Sequence, residues 1–503
     1  MRFDRDMFLP HSRNGSDLSR RALLQRAGWA VAAASIPAIA GSGSNLFAAT
    51  AVSPAMEKLS RYMSEARDHA LPEDVIEKTK HHVLDTMAAM ISGSQLPPGR
   101  AALKFAGSYG GERIATVVSS NVVCGPLEAA LANGVLAHSD ETDDSHAASG
   151  THPGCSIIPA SLAAGEQFGI AGEHYLRAVT LGYDIGTRVM MTLGGADFQT
   201  ASHRSTHSMG AIFCSAAAAG CAAGLNEQQM RWLLDYTSQQ SAGLGAWQRD
   251  TEHIEKAFVY AGAPARSGVT AALLVQAGWT GVDDIMSGSD NFLLANAPQA
   301  NPMDLVAGLG ERFAVVETNI KRWTVGSPIQ APLDALQILL KRHPFDASQV
   351  QQVIVRVGTR EAGVVNNREM PDICLQHMVS VMILDKTASF AAAHDKPRMQ
   401  DPAVLRLRAK VQLIPDEELQ KRLPRRESIV EVTLTDGTRL TEHVEAVRGT
   451  SDNPMPREEV VAKCRDLIAP VLGMAQCNAL IEKTLALETV KNIRELRPLL
   501  QKA

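Results

Sequence analysis

The run from Thr206 to Leu225 is dominated by alanine, glycine, serine and cysteine. A helix built from such small side chains lets neighbouring backbones approach closely, so the run predicts a helix in the middle of a bundle. Its apolar part is too short for a membrane span and is flanked by charged or polar residues. Aromatic residues make up only 5% of the chain, which favours packed helices over a β-sandwich.

Helical periodicity extends from Pro54 to about Thr318, broken by short segments rich in glycine and proline. Leu71-Pro72-Glu73-Asp74 predicts a helix start, because proline and acidic residues are favoured in the first turn. Pro126 begins another predicted helix, whose apolar residues recur at helical spacing.

The pattern changes after about Glu317. Gln351–Val357 and Ser428–Leu434 alternate as strands do, and Asp436-Gly437 predicts a hairpin turn into a strand over Thr438–Val447. A chain of 503 residues is also too long for one compact core. We therefore expect a mainly α protein with a large, discontinuous helical-bundle domain (51–316 and 452–503) and a smaller α+β domain (317–451).

The first 50 residues carry an export signature. Ser19-Arg20-Arg21-Ala22-Leu23-Leu24 is a twin-arginine stretch, and a mild apolar segment and small residues around Phe47-Ala48-Ala49 follow it. This order is typical of a Tat-type signal over 1–50; an ordinary basic amphipathic helix is the alternative. The apolar segment is well short of the roughly 20 residues that span a bilayer, so we expect a periplasmic protein without stable membrane insertion.

Charge and cysteine content argue against several classes of protein. The formal net charge is −5 without a long basic run, which gives no support for nucleic-acid binding. The 7 cysteines are scattered and form no C-x-x-C pair, which argues against a zinc finger or an iron–sulfur cluster. Their odd number argues against a complete disulfide framework.

The densest polar stretch lies between two predicted helices. It reads His138-Ser139-Asp140-Glu141-Thr142-Asp143-Asp144-Ser145-His146 and then Thr151-His152-Pro153-Gly154. A solvated loop is one interpretation. A metal site is another, but both the spacing of a calcium loop and the motif H-E-x-x-H are missing, so we expect no metal. His152 stands at a predicted helix N-terminus, where the dipole favours a neutral imidazole that can accept a proton.

Two further candidates lie later in the helical half. His207 comes at the start of the small-residue helix, where a capping or buried, satisfied histidine is the simpler interpretation. Lys256 stands four residues after Glu252, and an ion pair along the helix is its simpler role.

Several stretches, taken together, carry a resemblance. They are Ala132-Asn133-Gly134, His138, Asp143-Asp144-Ser145-His146, Thr151-His152-Pro153-Gly154, Ile158-Pro159-Ala160, His207 before Gly224-Leu225, Lys256 before the turn at 262–268, Lys321-Arg322-Trp323, Asp334-Ala335 and the segment 449–459. In order and spacing they resemble the MmgE/PrpD family, which includes 2-methylcitrate dehydratase, cis-aconitate decarboxylase and iminodisuccinate epimerase. The resemblance covers nearly the whole chain after residue 50.

The resemblance implies a helical domain with a smaller lid domain, a homodimer, and catalysis without a metal or an organic cofactor. Carried over by position, it implies a site made of Glu141, Ser145, His152, His207, Lys256 and, from the lid, Lys321.

The sequence also departs from the family's usual pattern. The departures are Glu141 for Asp, Thr142 for an aromatic residue, Ser145 for Thr, Gly326 and Gln330 where relatives tend to carry Cys or His, and His377 for a lid Tyr. We therefore expect an altered substrate-facing wall, and neither methylcitrate nor cis-aconitate as the substrate.

The reactions of this family share the movement of a proton on a carbon next to a carboxylate. We therefore expect a cofactor-independent lyase, in the first place a dehydratase of a small hydroxy-di- or tricarboxylate. His152 and His207 are expected to act as base and acid. Glu141 is expected to orient His152 or to take a proton itself, and Lys256 to stabilise developing charge.

The remaining predicted site residues are expected to bind the substrate: Ser145, Lys321, Arg266 and His377. An isomerase, epimerase or decarboxylase using the same groups is the alternative. A carboxylate-binding protein without activity is a third possibility.

Overall fold

The computed structural model describes residues 52–502, so the twin-arginine segment lies outside the described residues. Helices dominate it, as the sequence predicts. The α-helices of the first part are Pro54–Glu65, Glu73–Gly93, Pro97–Tyr109, Pro126–Ala137, Gly154–Phe168, Gly172–Leu193, Gly195–Ser202, Thr206–Ala222, Glu227–Gln240, Ile254–Ala257, Ala263–Gln276, Phe292–Asn296 and Ala314–Glu317. The later ones are Ser327–Arg342, Thr359–Val365, Leu375–Asp385, Phe390–Ala393, Pro402–Arg408, Glu417–Gln420, Arg457–Leu472, Met474–Leu485 and Arg497–Leu500.

The small-residue helix Thr206–Ala222 lies in the middle of the bundle, as predicted. All its residues except His207 are buried, and the helices on either side approach it closely. At Gly186, on the neighbouring helix, a Cβ atom would lie 2.1 Å from the Sγ of Cys214 and 2.4 Å from the carbonyl oxygen of Gly210. Larger side chains would force these two helices apart.

The helical run Ile254–Gln276 has a length and composition that would also suit a membrane span. About 56% of its most apolar 18-residue window is buried inside the protein. Lys256 belongs to this run and is buried in a polar cluster. This burial is typical of a core helix.

A short two-stranded sheet, β1 (Ala115–Thr116) and β2 (Val123–Cys124), lies early in the chain. The α+β part is built on a four-stranded sheet of β3 (Val350–Gly358), β4 (Val411–Asp416), β5 (Ser428–Leu434) and β6 (Arg439–Val444). The strand order across this sheet is β4-β3-β5-β6. β3 pairs with β4 in parallel and with β5 in antiparallel fashion. The predicted hairpin is present, but β6 ends at Val444, because the chain then turns back towards the helical part.

Buried apolar side chains form two clusters. One combines residues between 56 and 320 with residues between 455 and 500, and we call this the helical part. The other lies between 323 and 447, and we call this the lid.

The chain passes between the two parts twice, at neighbouring positions. The N–H of Ile320 donates to the carbonyl of Gly449 at 3.0 Å. Gly449 has a φ of 98°, and a Cβ atom there would lie 1.9 Å from the Ile320 carbonyl oxygen. Only glycine fits this crossing, because it adopts a positive φ without a side chain that would clash.

Candidate active site

The polar loop from His138 to Pro153 joins the helices Pro126–Ala137 and Gly154–Phe168. The interpretation as a solvated loop is wrong: Asp140, Glu141, Asp143 and Asp144 are at most 4% exposed. Buried carboxylates are costly unless they are paired, so each must have partners.

Asp143 binds two histidines. Its carboxylate lies 2.9 Å from Nδ1 of His138 and 3.1 Å from Nδ1 of His152. Burial by itself would raise the pKa of Asp143, but His138, His152 and Lys321 outweigh it and hold the pKa well below its usual range. A carboxylate at Nδ1 leaves Nε2 of a neutral imidazole as the proton acceptor.

His152 is the accessible member of this group. Its side chain is 11% exposed, whereas that of His138 is completely buried. Burial lowers the pKa of His152 to about 4, against the opposing effect of Asp143. The imidazole is therefore neutral at pH 7 and can accept a proton.

Two lysines neutralise the acidic residues of the loop. Lys256 donates to a carboxylate oxygen of Glu141, 115 residues earlier in the chain. Lys321 donates to the backbone carbonyl of Glu141 at 2.9 Å and to Asp143 at 3.4 Å. Burial would raise the pKa of Glu141, but the two lysines together hold it well below its usual range.

The simpler role predicted for Lys256 is wrong. Glu252 lies 3.3 Å from Lys396 instead, because Lys256 points into the protein. Its helix Ile254–Ala257 continues into a π-helical turn, Phe258–Gly262. Such turns are frequent at functional sites.

The π-helical turn also brings Tyr260 into the cluster. Its ring stacks on His207 with 3.9 Å between centroids and on His138 with 4.4 Å. His207 lies edge-on to His152, with 5.1 Å between centroids. Tyr260 was missed in the sequence, although its spacing of four residues from Lys256 could have placed both on one helical face.

His207 is not the capping residue of its helix, since Ser205 accepts from the N–H of Ser208. It is also not satisfied, because its Nδ1 is buried without a hydrogen-bond partner among residues 52–502. Burial and the nearby His152 and Lys256 hold the pKa of His207 well below its usual range. A neutral imidazole is a much weaker acid than the imidazolium that the predicted acid role requires.

The lid contributes two more polar groups that the sequence did not reveal. Nε2 of His394 lies 2.9 Å from Oδ2 of Asp140. Asp372 is 5% exposed, and burial raises its pKa to about 7. The charged groups that act on its carboxyl include His394, Glu141 and Lys256. Both residues are far from the loop in sequence, and no local pattern distinguishes them.

Ser145 lies at the base of the loop. Its backbone N–H and carbonyl pair with those of Asn319 at 3.0 and 2.9 Å, and its side chain is buried. Ser145 therefore joins the loop to the first crossing into the lid.

Arg266 and His377 are not brought to this cluster. The Arg266 side chain is 48% exposed, and its guanidinium lies 4.0 Å from Glu128. His377 is fully buried in the lid, and its charged neighbours are Arg408, Arg398 and Asp395. Burial lowers the pKa of His377 to about 4.

Gln330, another departure from the family pattern, has a structural role. Its side chain accepts from the N–H of Trp323 and donates to the carbonyls of Trp323 and Val325. It thereby orders the segment that follows Lys321.

Among residues 52–502, two groups of side chains could bring three metal-ligating atoms within 4.8 Å of one another: His138 with Asp143 and Cys155, and His138 with Glu141 and His253. The carboxylate of each group already binds a lysine. A divalent cation in either group would lie close to a lysine ammonium group, and the Coulomb repulsion disfavours it.

Three carboxylates of the cluster are paired with cations in the part of the chain that the structure describes. Three cations each face a carboxylate: Lys256 with Glu141, Lys321 with Asp143, and His394 with Asp140. Lys256 is the more exposed lysine, at 11% of its side chain against 2% for Lys321. It is the cation best placed to meet an incoming anion.

Comparison with known proteins identifies the family of the chain. The MmgE/PrpD N-terminal domain matches residues 57–302 and the MmgE/PrpD C-terminal domain matches residues 323–487. The cis-aconitate decarboxylase-like protein oryM of Aspergillus oryzae is 25% identical, covering 88% of this chain and 96% of that protein. The cis-aconitate decarboxylases of Aspergillus terreus and Homo sapiens are each 24% identical, covering 86% of this chain and 92% and 91% of those proteins. Decarboxylases are lyases, and the chain belongs to the MmgE/PrpD family.

Proposed function

We propose that this protein is a cofactor-independent lyase that removes a proton from the carbon next to a carboxylate of a small acid. The Asp143–His152 pair supports this proposal most directly. It combines a buried carboxylate, a neutral imidazole with Nδ1 held at 3.1 Å, and exposed surface on that imidazole. These are the features of a general base.

Elimination of water is the reaction we favour. His152 Nε2 takes the proton from carbon, and the electron pair of the C–H bond forms the C=C bond. The neighbouring C–O bond breaks, and the leaving hydroxyl takes a proton from the ammonium group of Lys256. This assignment moves the acid role from His207 to Lys256, because His207 is held neutral.

The charge balance of the cluster bears on the substrate. A carboxylate that binds Lys256 competes with Glu141. A tricarboxylate would need more cations than the described cluster provides, because Lys321 and His394 are already committed. We therefore propose a hydroxy acid with one or two carboxylates.

Decarboxylation is the second candidate, because the relatives are named for it. The carbanion left by carbon dioxide would take a proton from Lys256. An isomerase or epimerase would use His152 in the same way without loss of water.

One experiment separates these reactions. Purified protein is incubated in D₂O with mono-, di- and tricarboxylates, with and without a chelator, and followed by proton NMR. An alkene product indicates dehydration, loss of carbon dioxide indicates decarboxylation, and deuterium incorporation without a net product indicates isomerisation. Activity that survives the chelator and is lost in His152→Ala supports the proposal. Tight binding without turnover or exchange would support the carboxylate-binding protein instead, and activity that requires an added metal would refute the base role of His152.

We also propose that the protein is exported and that it forms a homodimer. Export by the twin-arginine segment is supported by its sequence alone, and fractionation of cells that express the full chain tests it. A homodimer is supported by the family resemblance, and light scattering of the purified protein tests it.

A further inference from the structure

The ion pair between His394 and Asp140 connects the lid to the polar loop. His394 follows the short lid helix Phe390–Ala393, and Asp140 lies three residues before Asp143. Their side chains are 13% and 2% exposed. Their contact is therefore shielded from solvent, where an ion pair is screened less by salt.

One hydrogen bond, from Nδ1, and one close charge contact, of Nε2 with Asp140, define the charge of His394; the second contact has ion-pair distance without hydrogen-bond geometry. Nδ1 lies 2.7 Å from the carbonyl oxygen of Phe390, so this nitrogen must donate. A neutral ring would then present a bare Nε2 to the Asp140 carboxylate, 2.9 Å away, and two acceptors would face each other. Only the doubly protonated imidazolium fits both contacts.

Asp140 in turn holds the backbone around Glu141. Its Oδ1 accepts from the N–H of Thr142 at 3.0 Å, and its Oδ2 accepts from the Thr142 hydroxyl at 2.5 Å. Glu141 lies between these two residues, and its side chain reaches Lys256. The turn that Asp140 closes therefore sets the direction of the Glu141 side chain.

We propose that His394 is a positioning residue: its imidazolium fixes Asp140, and through Asp140 the loop that holds Glu141 and Lys256. This proposal rests on the proposed function only for its kinetic consequence. His394 does not contact the predicted base, and it acts through Asp140.

The pH dependence follows from the groups that face His394. These are Asp140 from the loop, Asp372 from the lid turn Pro371–Ile373, and the Phe390 carbonyl on its own helix. Burial would lower the pKa of His394, but these groups raise it to about 9. The pKa of His394 is higher in the folded state than in the unfolded state. The contribution of the His394–Asp140 ion pair to stability is therefore complete below the unfolded pKa of about 6.5 and is lost as the pH rises through about 9.

The test compares three variants of the full chain by hydrogen–deuterium exchange of the peptide that covers residues 139–146. His394→Gln removes the charge, His394→Lys keeps a cation, and His443→Gln is the control. His443 is also a lid histidine beside a buried carboxylate, 3.0 Å from Glu427, but it is not part of the loop cluster.

At pH 7 we expect His394→Gln to exchange this loop about tenfold faster than the wild type, because local opening becomes less costly. His394→Lys and His443→Gln should keep the wild-type protection. At pH 10, after correction for intrinsic exchange, the wild type should resemble His394→Gln, while His394→Lys, with a reference pKa of about 10.4, should retain more protection.

Equal loop protection in His394→Gln and the wild type would overturn the proposal. If His394→Gln does not fold, His394→Lys decides: protection at pH 10 no greater than that of the wild type would overturn it.

The kinetic consequence is measured separately, with the acid that the NMR panel identifies. In His394→Gln, kcat should fall by about 10- to 100-fold with KM within about threefold, because a displaced loop misplaces reacting groups without removing them. If no acid is turned over, the proposed function fails while the exchange experiment still decides the role of His394.

Discussion

Asp143 and Asp144 are neighbours in the chain, both are completely buried, and both bind a histidine. Asp144 accepts hydrogen bonds from Nδ1 of His82 at 2.8 Å, from the Tyr183 hydroxyl at 2.5 Å and from the N–H of Gly154 at 2.9 Å. All of these partners lie inside the protein. Asp144 therefore anchors the start of the helix Gly154–Phe168.

Asp143 uses the same chemistry with one difference. Of its two histidines, His152 keeps part of its surface exposed. The comparison shows that residue type and burial alone do not distinguish a carboxylate that anchors a helix from the one that orients the proposed base. What distinguishes them is whether a histidine partner keeps an accessible nitrogen that no hydrogen bond among residues 52–502 uses.

The largest effect should come from His152→Gln. It removes the only accessible nitrogen of the Asp143 group, so the rate of turnover in the NMR assay should fall by about 10²- to 10⁴-fold. Thermal unfolding should change little, since the Gln amide can still donate to Asp143, and His138 and Lys321 keep their contacts with it. Retention of more than a tenth of the activity would place the base elsewhere.

Asp143→Asn should have the next largest effect on activity. An amide nitrogen facing either imidazole cannot accept from Nδ1, so the ring of His152 loses its tautomer and orientation. We expect a fall in kcat of about 100-fold, in the range seen when orienting groups are lost, measured on protein whose folding is verified by circular dichroism. An unchanged kcat would show that Asp143 is as structural as Asp144.

Asp144→Asn should lower the stability of the protein more than its activity. It breaks a buried, charged network, which costs about 3 kcal/mol of the free energy of unfolding. The urea midpoint should fall, while kcat per folded molecule stays within a few-fold of the wild type. A variant that is stable but inactive would refute the division between the two carboxylates.

The pH profile refines the comparison. The pKa of His152 is lowered to about 4, so kcat/KM should hold as the pH falls below 6 and decline only near pH 4. The neutral form is favoured by folding, so its contribution to stability is complete above about pH 6.5 and is lost as the pH falls through about 4. An acid limb at the ordinary histidine pKa would contradict the burial of this ring.

The smallest effect is expected for Arg266→Ala. The side chain is half-exposed and lies outside the cluster. Its removal should leave kcat and KM within about twofold, as for most surface substitutions. A tenfold rise in KM would restore the sequence-based prediction that Arg266 binds the substrate.

Local patterns predicted the framework well. The strand Ser428–Leu434 has the predicted bounds, because one face of the strand is buried and the other is not. The helices on either side of the polar loop were also predicted from local patterns. The spacing of their apolar residues and the positions of their prolines are signals that act over about one helical turn. The resemblance to the family then identified residues that the structure does bring together: Glu141, His152, His207, Lys256 and Lys321.

Local patterns could not predict contacts between distant segments. The ion pair of Lys256 with Glu141 joins residues 115 positions apart, and a local partner was the simpler expectation. His394 and Asp372 reach the loop only because the lid folds over it. Arg266 was chosen for its charge, but the rotation of its helix leaves it facing solvent.

The last helices of the chain support the polar loop from behind. Lys463, on the helix Arg457–Leu472, donates to the carbonyl of Thr142 at 3.1 Å, 321 residues earlier, and pairs with Asp85 at 2.6 Å. A contact between residues so far apart in the sequence forms late, because the intervening chain must first be made and folded. The nascent chain should therefore carry an unfinished site until its final helices are synthesised, and shortening the chain before Arg457 should abolish activity even though every residue of the cluster is still present.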